Sequence, residues 1–251
     1  MIAKALKTRR LIPPKDDLLS VIAESFSKLK IKEKSIIVVT SKVISIWEGN
    51  CIKQAGKKNK DKSKEELIKK ESNFYIDKKH VPNKQVILTI KNNILIPSAG
   101  IDESNANGYY ILWPKDSFLS AKKIYYFIKK KFGLKKFGVI ISDSHTTPMR
   151  TGIMGIAVAF FGFYPLKDYR GKKDIFGRKL KMSQTNIVDS LAATAVYAMG
   201  EGAEQMPIAI IEDAGDIKFL EKDFSKKNPL DISIKKDIYA PILKNKLWKK
   251  G

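Results

Sequence analysis

Short apolar runs, each stopped by polar residues, glycine or proline, constrain this chain most tightly. They are Ser35–Thr40, Val86–Ile90, Asn93–Pro97, Tyr109–Trp113, Phe137–Ile141 and Pro207–Glu212. Runs of this length, rich in Ile and Val, read as strands, the first of them buried. Between them the apolar residues recur at helical spacing. Leu18, Leu19, Ile22, Phe26 and Leu29 follow a capping Asp16 or Asp17. Ala121, Ile124, Phe127 and Ile128 mark a second helix over 117–132, and Ser183–Met199 a third, stopped by Gly200 and Gly202. Gly152–Gly162 is a glycine-bearing apolar segment, and Asp168–Arg178 a charged turn. The nearly all-polar stretch from Gly56 to Lys70 reads as a solvated helix or excursion. This alternation predicts an α/β (mixed α+β) fold. With 251 residues, no internal repeat and no linker, the chain reads as one unit, 1–251. Its core is 11–211, and 215–251 is a lysine-rich tail.

Several classes fall away on composition. No run is apolar for the ~18 residues a membrane span needs, and Met1–Arg10 is basic with no apolar core behind it, unlike a secretory signal. Cys51 is the single cysteine, so no internal disulfide forms. A cytoplasmic address is expected. The formal charge of +22 raises a nucleic-acid-binding alternative. Arginine, which base readout and bidentate phosphate contacts favour, occurs only at positions 9, 10, 150, 170 and 178. The aromatics, among them Trp47, Tyr109, Tyr110, Trp113, Phe160 and Phe161, fall in apolar patterns rather than on an exposed stacking face. No specific nucleic-acid partner is therefore expected, and most lysines read as solvated surface.

Three acidic residues follow apolar runs: Asp102, Asp143 and Glu201. Carboxylates at element ends cost little to desolvate and suit hard cations such as Mg²⁺ or Mn²⁺. Taken singly, each is as well explained as a turn former or cap. Two histidines, His80 and His145, are too few for a His-rich zinc site. Neither a Gly-x-x-x-x-Gly-Lys-Ser/Thr loop nor a Gly-x-Gly-x-x-Gly turn after a strand is present. Asp143, Ser144 and His145 are adjacent, whereas the members of a catalytic triad meet in space.

The segment Ser98-Ala99-Gly100-Ile101-Asp102-Glu103-Ser104-Asn105 resembles the Ala-Gly-x-Asp-x-Ser-Asn motif of the coenzyme F420-0:L-glutamate (γ-glutamyl) ligase family. Other landmarks of that family follow in order. They are Thr40-Ser41-Lys42-Val43 with Glu48-Gly49, then Ser142-Asp143-Ser144 with Pro148 and Arg150-x-Gly152. Asp168-x-Arg170-Gly171 with Asp174, Gly177 and Leu180 comes next, then Asp189-x-Leu191-Ala192 and Met199-Gly200-Glu201 leading to Pro207.

The resemblance implies two interleaved subdomains with the site between them, and a homodimer. It also implies a GTP- or ATP-dependent ligase needing Mg²⁺ or Mn²⁺ as two ions, with K⁺ as a further ion. An acceptor carboxylate would be phosphorylated, and L-glutamate would displace the phosphate. Asp102 and Asp143 would be the catalytic, metal-binding carboxylates, with Ser144 and Glu201 as further ligands. Glu201 stands where the family often has glutamine. The nucleotide would contact Leu11, Ile12, Pro13, Pro14, Ser41, Lys42, Asn105, Met199, Gly200, Gly202, Ala203, Glu204, Gln205 and Met206. A lysine usual in the family near Ile46 is missing, and its Gly-Arg-Pro loop reads His145-Thr146-Thr147-Pro148 here, with Arg150 kept. That loop would border the acceptor. Threonines supply neither close backbone approach nor a bidentate cation. A folate-like acceptor therefore stands beside a coenzyme F420-0-like one, and a non-catalytic family member is a further alternative.

Overall fold

The computed structural model describes residues 1–56 and 60–251, so residues 57–59 of the predicted polar excursion lie outside the described residues. In chain order the first elements are β1 (Ile2–Leu6), α1 (Leu18–Ser27), β2 (Ile36–Thr40), α2 (Ser41–Glu48) and β3 (Cys51–Lys53). Next come α3 (Lys60–Glu71), β4 (Phe74–Ile76), β5 (Leu88–Lys91), β6 (Ile94–Pro97) and β7 (Tyr109–Ile111). Then follow α4 (Ser117–Phe132), β8 (Gly138–His145), β9 (Met154–Phe161), β10 (Leu166–Asp168) and β11 (Gln184–Asn186). The last are α5 (Ile187–Met199), β12 (Ile208–Glu212), α6 (Ala240–Leu243) and β13 (Lys249–Lys250).

The main sheet has the order β1-β12-β2-β8-β9 and is antiparallel except for the β2–β8 pair. Successive residues of a strand face opposite ways. Ile37, Val39, Val139, Ile141, Ile208 and Ile210 therefore pack against α1, α2 and α4. Ile36, Val38, Ile140, Ala209 and Ile211 pack against α5 on the other face. Burial on both sides is why these strands read as unbroken apolar runs. The main unit is thus three layers thick. α5 lies so close to β9 that a Cβ on Gly155 would overlap the backbone of Ala192.

Residues 51–113 form a second unit inserted between α2 and α4. Its sheet, β13-β4-β5-β6, packs with α3 over Ile68, Ile87, Ala99, Ile101, Tyr110 and Leu112. The chain enters this unit on β3 and leaves it on β7, and these two strands pair antiparallel from Cys51↔Ile111 to Lys53↔Tyr109. The tail returns to it. Phe224 packs on the main core, Asn93 Nδ2 donates to the Ile232 carbonyl at 3.0 Å, and β13 pairs with β4.

The structure departs from the sequence reading in two elements and adds two that it did not foresee. The strand expected to end at Ile141 runs on: β8 continues through His145, past a bulge between Ile141 and Ser142, so Asp143 lies within it and not directly after it. Ser41 and Lys42 open a helix, which eight residues of mixed polarity did not announce. The helix predicted from Ser183 starts at Ile187, where the Asn186 side chain accepts from the Asp189 N–H, and Gln184–Asn186 pairs with β10 instead. The basic N-terminus contributes β1 to the main sheet.

Candidate active site

The parallel pair β2–β8 aligns Thr40, where β2 ends, with Ser142, from which β8 runs on to His145. Open α/β sheets bind ligands at the rim beyond the carboxyl ends of parallel strands. Here it delivers Ser41 and Lys42 from the start of α2 beside Asp143 and Ser144 from β8. The inserted unit closes the other side with Asp102, Ser104, Asn105 and Asn107. The resulting cleft holds about 670 Å³.

Three segments complete the wall. The N-terminal stretch from Thr8 to Pro13 is fixed by Asp16, which accepts from Arg9 Nη1 and Nη2, both at 2.9 Å, and from the Ile12 N–H at 2.8 Å. The Gly200–Pro207 stretch is tied back by Thr8 N–H to the Gln205 carbonyl and by Thr40 N–H to the Pro207 carbonyl, both at 3.0 Å. Asn105 Nδ2 reaches across the cleft to the Gly202 carbonyl at 3.0 Å.

The two central carboxylates differ sharply. Burial pushes Asp143 up to about 6; hydrogen bonds from Trp113 Nε1 and the Ser144 N–H offset part of this, and the Asp102 charge adds to the rise. Burial also raises Asp102, but the Lys42 ammonium at 2.6 Å outweighs it, aided by the N–H and hydroxyl of Ser104. Asp102 is therefore held below the usual carboxylate range. Lys42 also donates to the Ser104 carbonyl and hydroxyl at 3.1 and 3.0 Å. Glu201 is raised by burial, against a hydrogen bond from Ser144. The Lys42 ammonium thus sits among oxygen acceptors of the inserted unit, facing Asp143 and Ser144 across the cleft.

Asp102, Asp143, Ser144 and Glu201 all line this cleft, as do Leu11, Ile12, Pro13, Ser41, Lys42, Asn105, Met199, Gly200, Gly202, Ala203, Glu204, Gln205 and Met206. Pro14 does not; its carbonyl faces Gly49. His145, Thr146, Thr147 and Arg150 are also outside the lining. His145, half-buried and lowered by burial against the pull of Asp189, ends β8, and Arg150 is exposed. Among the described residues no three His, Cys, Asp or Glu side chains are gathered as a metal cage. Oxygen donors on both sides of the cleft fit the sparser pattern of Mg²⁺, one or two carboxylates plus substrate phosphates.

Two residues escaped the sequence reading. Trp113, 2% exposed, donates its indole N–H to Asp143. The Ser142 hydroxyl, at the cleft and fully buried, has no hydrogen-bond partner among the described residues. An aromatic in an apolar run reads as core, and only the position of Trp113 just before Pro114, at the end of its strand, hinted otherwise.

A family model described as F420-0:Gamma-glutamyl ligase matches residues 7–213. A coenzyme F420:L-glutamate ligase of Methanococcus maripaludis (strain S2) is 37% identical over 205 residues, 77% of this chain and 81% of the relative. Its namesake in Methanocaldococcus jannaschii is 35% identical over 205 residues, with the same shares. That of Methanopyrus kandleri is 31% identical over 214 residues, 80% of this chain and 82% of the relative. Among the described residues no helix is long and apolar enough to cross a membrane.

Proposed function

Because the chain belongs to the F420-0:gamma-glutamyl ligase family, we propose that it joins L-glutamate to the carboxylate of a coenzyme F420-0-type acceptor at the expense of GTP or ATP. The observation that carries this reading is the Thr40–Ser142 register, which gathers Lys42 and Asp143 at one rim with Asp102 facing them. In the first step an acceptor carboxylate oxygen bonds to the γ-phosphorus while the bond to the β-γ bridging oxygen breaks, releasing the nucleoside diphosphate. In the second, the glutamate amine attacks the acyl phosphate carbon, inorganic phosphate leaves, and the amine gives up a proton.

Lys42 is the point charge for the phosphates, as an ammonium on a flexible stem suits. The first turn of α2 presents backbone N–H groups to the same anion; Thr40, at the cap position, makes no side-chain cap bond. Asp102 and Asp143, with Ser144 and Glu201, would hold Mg²⁺ or Mn²⁺, as two ions, with K⁺ a further ion. Such metal ions spread the charge of the transferred phosphoryl group. Lys42 must then give up its ion pair with Asp102 in favour of the nucleotide.

The 31–37% identity to proteins named for coenzyme F420 favours that acceptor. A second reading, an acceptor already ending in glutamate as folates do, rests on Thr146 and Thr147. Its weight is reduced because these residues lie outside the cleft lining. The homodimer belongs to the same reading. Ile175, Phe176 and Met182, 91%, 90% and 79% exposed on the β10–β11 connection, form an apolar arm that a second copy would cover. The test is phosphate release with L-glutamate, each nucleotide and each acceptor, with mass spectrometry of the product. Addition of one glutamyl residue to F420-0, with higher kcat/KM than for a reduced folate, is expected. Clear preference for the folate moves the reading to the second acceptor; no turnover with any acceptor overturns it.

A further inference from the structure

We propose that Trp113 is a positioning residue that sets how Asp102 and Asp143 face each other. The inference rests on the reading of these two as the carboxylates of the reacting site. Asp102 belongs to the inserted unit and Asp143 to the main sheet, so their relation depends on whatever spans the two units. One extended segment touches both. Ile111 exchanges both backbone hydrogen bonds with Asp102, at 2.9 and 2.8 Å. Two residues on, the Trp113 indole N–H donates to Asp143 Oδ2. The anchors are one strand repeat, ~7 Å, apart along the chain.

The segment cannot drift. The Trp113 carbonyl accepts from Asn50 Nδ2 at 2.7 Å, and the Leu112 N–H donates to the Asn50 carbonyl at 3.2 Å. Asn50 follows Gly49, the left-handed cap of α2, so the helix carrying Lys42 is tied to the same segment. Asp143 Oδ1 takes the Ser144 N–H at 2.9 Å while Oδ2 takes the indole, and two bonds to two oxygens fix the carboxylate plane. A buried indole N–H needs an acceptor, and an anionic one makes the stronger bond.

Gly100 explains how a side chain of this size reaches the site. It has φ +70°, and a Cβ there would overlap the indole Nε1 and its neighbouring carbons. Two residues before Asp102, this glycine keeps open the slot through which Trp113 reaches Asp143.

The test removes the N–H and keeps the shape, by placing a benzothiophene side chain, sulfur in place of the indole nitrogen, at position 113. Trp113→Phe is the second variant and Trp47→Phe the control. Mn²⁺ affinity is read from the free-Mn²⁺ paramagnetic resonance signal in the presence of nucleotide and without acceptor. Values of kcat, KM and the thermal midpoint accompany it. The benzothiophene protein should melt near wild type yet lose roughly 10–100-fold in Mn²⁺ affinity or kcat, the range for residues that orient metal ligands, with KM for glutamate unchanged. Gly100→Ala, which displaces the indole and strains a left-handed position, should lower both Mn²⁺ affinity or kcat and the thermal midpoint. Wild-type Mn²⁺ affinity and kcat in the benzothiophene protein would overturn the proposal alone, whatever its melting point. Wild-type protein that neither binds Mn²⁺ nor turns over overturns the functional reading and this proposal with it.

Discussion

Asp102 and Asp143 line one cleft but are driven in opposite directions, the first down by Lys42 and the second up by burial. Neutralising either should cost the site several kcal/mol of charge stabilisation, on the order of 10²–10³-fold in kcat. Asp143→Asn and Asp102→Asn should therefore lose metal-dependent turnover at saturating metal while circular dichroism and melting stay close to wild type; near-wild-type rates would remove both from the mechanism. Asp16 acts through stability instead. Its hydrogen bonds to Arg9 lower it from 3.8 to about 2. A lowered carboxylate stabilises the fold above its unfolded value and loses that contribution as pH falls through the folded one. Asp16→Asn should cost about 1–2 kcal/mol at neutral pH, and urea unfolding should show the gap to wild type closing near pH 2. A constant gap across that range would assign the effect to packing. At this scale the carboxylates were readable as candidates through the family motifs around them, since an apolar run before each left it equally well explained as a turn former or cap. Trp113 and Ser142 were not, since whether a buried residue faces core or cleft is decided by register, which one strand alone does not reveal.

Among the elements, those with an unbroken apolar run or a sustained helical period were legible, and those with a crowded or interrupted pattern were not. α4 spans Ser117–Phe132 as its periodicity predicts, and β5 and β6 meet at an Asn92-Asn93 turn in which both residues have positive φ. α2 escaped because its buried side, Val43, Ile44 and Ile46, is crowded into two turns. β1 escaped because lysine at position 4 breaks its pattern, although that lysine reaches Glu212 on the neighbouring strand. β13, two residues at the end of an irregular tail, lies against β4, with Lys249 meeting Asp77 at 2.6 Å and the Gly251 N–H donating to the Asn73 carbonyl at 3.2 Å. A strand so short is stable only through its neighbours. Deleting residues 245–251 should leave ligase activity measurable and speed amide exchange in Phe74–Ile76, read by hydrogen-exchange mass spectrometry. Unchanged exchange there would show that the tail does not brace the inserted sheet.

At the scale of the whole molecule, the mixed α/β architecture followed from the alternation of runs and the two interleaved units from the family resemblance, whereas the boundaries of the insertion at 51 and 113 followed from neither. Nothing in composition marks where the chain leaves the main unit, because Cys51–Lys53 and Tyr109–Ile111 look like any other strands. The exposed arm at Ile175, Phe176 and Met182 is a similar case, apolar yet outward. Phe176→Lys should shift the protein from dimer to monomer in sedimentation velocity; wild-type protein already monomeric at high concentration would remove the second copy from the reading. The crossing between units has a mechanical consequence. Two separate connections would let the inserted unit swing and twist independently. Because β3 and β7 are zipped to each other, the entering and leaving chains act as one leaf, stiff in its plane and soft across it. With the tail pairing on β4 and the Trp113–Asp143 bond as further ties, that leaf holds Asp102 at a set station over Asp143 instead of leaving the inserted unit to swing on two loose strings.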